Sequence, residues 1–279
     1  MKHALILGHG YSAAALTPLL LADGWQVSGT TRGRHDAVAA SGAQPLDWGD
    51  GDAIRRAIAG ADAILVSAGP DASGDPVLAR FRDDLQAAQP GWVGYLSTTA
   101  VYGDHDGDWV TEDTATDPAS ARGKARVQAE QAWQALAGQA GWPLHIFRLA
   151  GIYGPGRSPV DKLRQGTSRR IIKPGQIFSR IHVDDIAQAL AASIRQPRPG
   201  AVYNLCDDHP CPPQEVIEYA AAQTGLPLPR AEDFATAQMT PMARSFYSES
   251  KRVSNARIKA DLGLRLIHPD YKSGLAGLI

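Results

Sequence analysis

The feature that most constrains this chain lies at its start. Ala4-Leu5-Ile6-Leu7 is a short continuous apolar run, Gly8-His9-Gly10-Tyr11-Ser12-Ala13 follows it directly, and an apolar helical pattern runs from Ser12 to Asp23. A buried strand, a G-x-G-x-x-A turn and a helix make up the first part of a βαβ unit. The two glycines let the backbone turn tightly and approach a pyrophosphate, and Ala13 lets the helix pack closely on the strand. The first helical turn adds unpaired N–H groups and the positive end of a dipole. Gly8, Gly10, Tyr11, Ser12 and Ala13 therefore read as a dinucleotide cradle.

The rhythm set by this unit continues. Gln26 to Thr30 and Ala43 to Leu46 read as strands, Asp52 caps a helix running to Ala59, Ala63 to Ser67 is a fourth strand, and Val77 to Gln86 is a helix. Strand Trp92 to Leu96 delivers Ser97, Thr98 and Thr99 at its carboxyl end, a long helix spans Arg122 to Ala137, and His145 to Leu149 is a sixth strand. Strands alternating with helices in this way imply an α/β class with a parallel sheet. Pro18, inside the first helix, should kink it or mark its first turns. Beyond residue 150 the pattern changes to a turn-rich loop at Gly151 to Pro159 and a short helix at Val160 to Gly166. A pair of short strands around Pro174-Gly175, within Arg170 to Ile181, follows. Asp184 to Arg195 is an amphipathic helix, Val202 to Leu205 a strand, and Glu215 to Thr224 a helix closed by Gly225. We divide the chain into a nucleotide-binding domain at 1–151 and a smaller substrate subdomain at 152–279, interleaved with the sheet through about 183–205. Leu226 to Arg244, broken by three prolines, reads as a mobile loop over a site.

Composition narrows the partners. The 279 residues are 44% hydrophobic and carry 28 Lys and Arg against 29 Asp and Glu, so a formal charge of -1 offers no global attraction for nucleic acid or anionic lipid. No apolar run approaches about 18 residues, and the four apolar residues before Gly8 are too few for a signal-peptide core. A soluble cytosolic protein with a small-molecule substrate is expected. Two cysteines make no disulfide framework. Asp104 to Asp108 resembles the start of a calcium loop, but Trp109 and Ala115 stand where glycine and glutamate are needed. Cys206, Asp207, Asp208, His209 and Cys211 crowd into one stretch stiffened by Pro210 and Pro212, so no metal site is expected there. Lys251 and Arg252, after Ser248-Glu249-Ser250, read as a solvated face or else as cations that bind an anionic substrate.

Cofactor choice turns on the end of the second strand. A chain that takes NAD usually places Asp or Glu there to accept from the ribose hydroxyls. Here the sequence is Thr30-Thr31-Arg32-Gly33-Arg34, and Arg32 next to Thr31 suits a 2′-phosphate, so NADP is expected over NAD. Asp47, after the third strand, is a candidate adenine contact or a helix-capping group before Asp50.

Taken in order, the glycine-rich start, Ser67-Ala68-Gly69, Leu96-Ser97-Thr98-Thr99-Ala100-Val101-Tyr102-Gly103, Arg148 to Gly156 and Arg180-Ile181-His182-Val183-Asp184-Asp185-Ile186 resemble the extended short-chain dehydrogenase/reductases. That superfamily includes the NAD(P)-dependent epimerases and dehydratases. The resemblance spans residues 4 to about 208 and implies a doubly wound parallel Rossmann sheet, the cofactor across its carboxyl edge near Ser67, Ala68 and Gly69, and a smaller C-terminal substrate subdomain. It also implies a homodimer through two long helices.

The same resemblance exposes a departure. The family's proton-transferring tyrosine and its lysine partner four residues later fall here on Arg122 and Arg126, counted back from Glu130. Arginine holds its proton up to a pKa above about 12, so neither can act as a general acid-base, though both can fix a phosphate, carboxylate or ribose. Thr98 aligns with the Ser/Thr that bonds the substrate's reacting oxygen, or else caps the next turn. Tyr102 and Tyr153 are phenols that could replace the missing one, or packing residues. Arg157, Arg180 and His182 line the corresponding substrate region, while Asp184 and Asp185 read as helix caps. The expectation is an atypical NADP-binding member, an oxidoreductase or epimerase/dehydratase on a small anionic or nucleotide-sugar-like substrate. The alternative is a non-catalytic NADP(H) sensor.

Overall fold

The computed structural model describes residues 1–71 and 73–279. The expected strands are β1 (His3–Leu7), β2 (Gln26–Thr31), β3 (Gln44–Asp47), β4 (Ala63–Val66) and β5 (Trp92–Thr98), followed by Leu144–Leu149 and Val202–Leu205. They form one parallel sheet, in the spatial order Val202–Leu205, Leu144–Leu149, β5, β4, β1, β2, β3. The chain builds outward from β1 to β3 and then returns to place β4 on the other side of β1, which opens a crevice at the carboxyl ends of β1 and β4.

The central strands β1 and β4 are apolar along their length because both faces are covered, while the edge-side strands β2 and β3 carry Gln, Ser, Thr and Asp. Helices α1 (Tyr11–Ala22), α2 (His35–Ala40), α3 (Gly51–Ala59), α4 (Pro76–Ala87) and α5 (Ala121–Ala140) connect them, and Val183–Arg195 returns against the sheet. Ala4, Ile6, Ala63 and Leu65 pack toward α1 and the helix Val183–Arg195. Leu5, Leu7, Ile64 and Val66 pack toward α3, α4 and α5. A period of two thus assigns each strand residue to one of two cores.

Several local expectations are corrected. α1 continues through Pro18 as one helix; Thr17 Oγ1 donates to the Ala13 carbonyl at 2.9 Å, one turn before the proline. Asp50, not Asp52, caps α3 by accepting from the Ala53 N–H. The two short strands expected around Pro174-Gly175 form at Arg170–Ile172 and Arg180–His182, and each pairs in parallel with a distant strand, Ala231–Asp233 and Gly151–Tyr153 respectively. The segment 226–244, expected to be irregular, contains that last strand and the start of a helix, Pro241–Ser245. A small second core of Tyr153, Val160, Leu163, Val216, Ala220, Tyr271 and Leu275 holds the C-terminal elements together. Among the described residues, no helix is long and apolar enough to cross a membrane.

Candidate functional site

Two cavities open along the carboxyl edge of the sheet. The smaller, about 360 Å³, is lined by Gly8, His9, Gly10, Thr30, Thr31, Arg32, Trp48, Ala68 and Gly69, with Pro76 at its side. The two motif glycines serve it differently. Gly8 has φ +96°, and a Cβ there would lie 2.6 Å from the Ala68 nitrogen, so the fold itself requires glycine. Gly10 has nothing nearer than the Gly8 carbonyl at 4.0 Å, so its missing side chain leaves open space. Gly10 precedes α1 without any side-chain cap. Its carbonyl accepts from Ala14 N at 2.9 Å, which leaves the N–H groups of Tyr11, Ser12 and Ala13 outside the helical ladder. An uncapped helix opening on a glycine-walled cavity fits a pyrophosphate.

Beyond the cradle, Thr31 Oγ1 accepts from Arg34 N at 2.9 Å and so braces the turn that carries Arg32. Asp47 is not on the cavity wall. Its carboxylate accepts from Gly49 N at 2.6 Å and lies 3.0 Å from His35 Nε2, so a turn and an ion pair occupy it. Trp48 takes the wall position instead, with Arg80 over its ring at 5.4 Å. The sequence reading passed over Trp48; an aromatic just beyond the carboxyl end of a sheet strand was the available signal. Ser12 and Ala13 are buried in the packing of α1, and Ser67 N donates to the Leu7 carbonyl.

The larger cavity, about 750 Å³, is lined by Thr98, Arg122, Tyr153, Arg157, Arg180 and Lys251 among others. Thr98 is on its wall and caps the following turn, accepting from Ala100 N at 3.3 Å. Tyr153 is 5% exposed and donates to the Asp270 carbonyl at 3.3 Å. Burial, reinforced by Asp207 and Asp185, raises its pKa. Arg180 donates to the Phe178 carbonyl and to Cys211 Sγ, both at 3.1 Å. Tyr11, the first residue of α1, ties that helix to the loop after Tyr153, its hydroxyl donating to the Pro155 carbonyl at 3.0 Å.

Two expected site residues lie elsewhere. Tyr102 is fully buried; its hydroxyl donates to Asn204 Oδ1 at 2.7 Å and accepts from Arg148 Nη1 at 3.0 Å. Arg148 in turn grips Glu130 at 2.8 Å, and Ser97 donates to the same carboxylate. Tyr102 is thus part of a buried polar brace joining β5, α5 and the two last sheet strands, out of reach of the cavity. His182 is 3% exposed and caps the helix Val183–Arg195 through Nδ1, so it supports the cavity loop from beneath. Asp185, read as a cap, is buried and instead accepts from Ile267 N and His268 N, fastening the C-terminal segment.

The segment after residue 240 was underestimated. Met242, Ser245, Phe246, Glu249 and Lys251 line the larger cavity. Lys251 is 8% exposed, not a solvated cation: it bonds the Gly103 carbonyl and lies 2.7 Å from Glu249. Around Cys211, the donor atoms of His209, Cys211 and Glu215 come within 4.8 Å of one another. Arg180 already donates to that thiol, and burial pushes its pKa up to about 11.

A doubly wound parallel sheet with a glycine cradle at its switch point and a second cavity beside it defines a dinucleotide-binding protein of the Rossmann class. Residues 4–206 match the NAD dependent epimerase/dehydratase family, and the chain belongs to it. Membership brings an NAD(P)-dependent, oxidoreductase- or epimerase-like function in general terms. The chain is 28% identical to the protein YeeZ of Escherichia coli K12, with 97% of each covered. It is 56% identical to a functionally unknown conserved protein from Silicibacter pomeroyi, whose structure superposes with a TM-score of 0.92 over 100% of this chain and 98% of that one. The human epimerase family protein SDR39U1, solved with NADPH, shares the fold at 19% identity, with a TM-score of 0.77 and 99% and 97% of the chains covered.

Proposed function

We propose that the chain is an NADP-dependent oxidoreductase or epimerase-like enzyme that acts on a small anionic substrate. The observation that carries this reading is the adjacency of two unlike cavities, one walled by glycines with Arg32 on its rim, the other larger and rich in cationic side chains. The nicotinamide cofactor, when bound, supplies or accepts a hydride. The chain's own residues bind and orient. N–H groups at the start of α1 receive pyrophosphate oxygens, Arg32 pairs with the 2′-phosphate from the turn that Thr31 braces, and Trp48 forms the apolar side of the pocket. Thr98 offers its hydroxyl to a substrate oxygen. Tyr153, a phenol on the wall of the larger cavity, is the candidate donor, and burial, which raises its pKa, makes it a weaker acid than a free phenol.

One observation favours the sensor reading as a second possibility. Arg122 and Arg126 cannot transfer protons at neutral pH, Tyr102 is sequestered, and the Tyr153 hydroxyl is engaged by the Asp270 carbonyl. A sensor would bind NADP(H) and show no turnover.

Calorimetric titration with NADPH and NADH tests the cofactor assignment. NADPH should bind more tightly, and Arg32→Ala should weaken NADPH by about 1.5–3 kcal/mol while leaving NADH nearly unchanged. An unchanged ratio of the two affinities after Arg32→Ala removes the basis for assigning NADP.

A further inference from the structure

Arg122 and Arg126 stand one turn apart on α5, yet they serve different cavities. Arg126 bonds the Leu96 carbonyl and its guanidinium end lies against Gly69 of the nucleotide cavity, where a side chain would have to displace it. Arg122 lines the larger cavity beside Thr98, its guanidinium 5.1 Å from the centre of the Phe246 ring. Arg157 reaches the same cavity from the loop after Tyr153, 5.8 Å from the ring of Tyr11, the first residue of α1. Arg122 and Arg157 therefore both reach the larger cavity, while Arg126, one turn along α5, lies beside Gly69 of the nucleotide cavity.

No counter-charge answers them. The larger cavity is lined by Arg122, Arg157, Lys162, Arg180, Lys251 and a single carboxylate, Glu249, which is held by Lys251 at 2.7 Å. Among the described residues, neither Arg122 nor Arg157 has a carboxylate oxygen within 4.0 Å of its guanidinium nitrogens. This concentration of positive charge sits in a chain whose net charge is -1. Partial loss of water around Arg122, then the nearby Arg126 and, more weakly, Arg157, lower its pKa, with Glu249 acting the other way. Phe246 lies beside the Arg122 guanidinium and Tyr11 beside that of Arg157, and among the described residues neither guanidinium donates a hydrogen bond, which leaves both for planar recognition of an oxyanion.

We propose that Arg122 and Arg157 form an oxyanion subsite that holds a carboxylate or phosphate group at the end of the substrate facing the nucleotide cavity. This rests on the two-cavity reading above and adds to it the position and chemistry of the substrate's anchoring group. It also gives Arg122 a substrate-binding role at a position where it cannot transfer protons.

The test is calorimetric titration of the full chain, saturated with NADPH, with inorganic phosphate and separately with malonate, at ionic strength held constant with potassium chloride. One or both should bind, with the preferred probe identifying the group as phosphate or carboxylate. Arg122→Gln and Arg157→Gln should each weaken that probe at least tenfold while changing NADPH affinity less than threefold. Arg122→Lys should recover only part of the loss, because a point charge replaces a planar fork. Arg157→Gln, on an exposed loop, carries the test if the α5 variant fails to fold. No binding of either probe overturns the proposal, as does equal binding by the glutamine variants or displacement of NADPH by the probe. Wild type that binds a probe through this pair but never binds NADPH would leave the subsite standing and sink the dinucleotide reading instead.

Discussion

The two cavities are built from different material. The nucleotide cavity is largely backbone: glycines that bring chain segments together, free N–H groups and strand ends, drawn mainly from the first third of the chain. The larger cavity is side chains delivered by segments as far apart as Thr98 and Tyr271. A backbone site is written in a local motif, because a tight turn at positive φ tolerates few residue types. A side-chain site leaves no local motif, since any strand end or loop can present an arginine. The cofactor end of this molecule is accordingly specified by its sequence, while the substrate end is specified only by its fold.

Two neighbouring glycines give the sharpest way to break that contrast. Gly10→Val places a branched side chain in open space beside the cradle, so the protein should fold with near-normal circular dichroism and lose NADPH affinity by at least about 100-fold. Gly8→Val should instead destabilise the chain by about 4 kcal/mol or more, because φ +96° and the Ala68 nitrogen both oppose a side chain. A folded Gly10→Val protein that still binds NADPH would mean the cradle is an ordinary strand-to-helix turn.

A slightly smaller effect should come from the brace that lies behind both cavities. Glu130 is 3% exposed, and it is the carboxylate that answers Arg148. Glu130→Gln should lower the free energy of urea unfolding by about 3 kcal/mol, because it leaves a buried guanidinium without its counter-charge. Binding of NADPH should change far less. A loss below about 1 kcal/mol would show that water, not Glu130, compensates Arg148.

The sequence shows the central sheet because strands such as β1 and β4 are continuous apolar runs separated by helical patterns, and burial on both faces allows little else. It also shows Gly8 and Gly10. It misleads at Tyr102, where the local string alone cannot reveal that Asn204, 102 residues away, accepts from the hydroxyl. The same limit applies to Lys251, whose burial depends on Gly103 and Glu249, and to the short parallel pairs near residues 152 and 181. Those pairs join strands distant in sequence, so no turn signal marks them. Asp47 illustrates an error of a single position: the strand end was correctly located, but the turn took the carboxylate and left Trp48 on the cavity wall.

Tyr102→Phe sharpens the same point from the substrate side. Removing the hydroxyl leaves Asn204 Oδ1 and Arg148 Nη1 each short of a partner, so stability should fall by about 1–2 kcal/mol. NADPH affinity and any turnover should be unaffected, since the ring stays buried. A drop in turnover of about 100-fold at unchanged stability would instead return Tyr102 to the chemistry, against its position in the brace.

A pH-dependent effect concerns Asp207, two residues beyond the end of the last sheet strand. It is 1% exposed; Oδ1 accepts from His209 N at 3.1 Å, and no group in the described structure bonds Oδ2. Burial raises its pKa to about 7, with Asp208 and Asp270 pushing the same way and Arg180 and the His209 N–H opposing them. The unfolded carboxyl titrates near the model-peptide value of about 3.9. Between that value and about 7 the folded chain holds a proton that the unfolded chain has lost. This group's contribution to stability therefore falls as pH rises through that window and is level above it. Asp207→Asn keeps the oxygen that accepts from His209 and cannot ionise. Its stability relative to wild type should improve from pH 4.5 to pH 7.5, by a total on the order of 3 kcal/mol in urea melts at the two pH values. A difference between variant and wild type that stays constant across this range would show that Asp207 is ionised in the folded protein throughout, with Arg180 holding its charge.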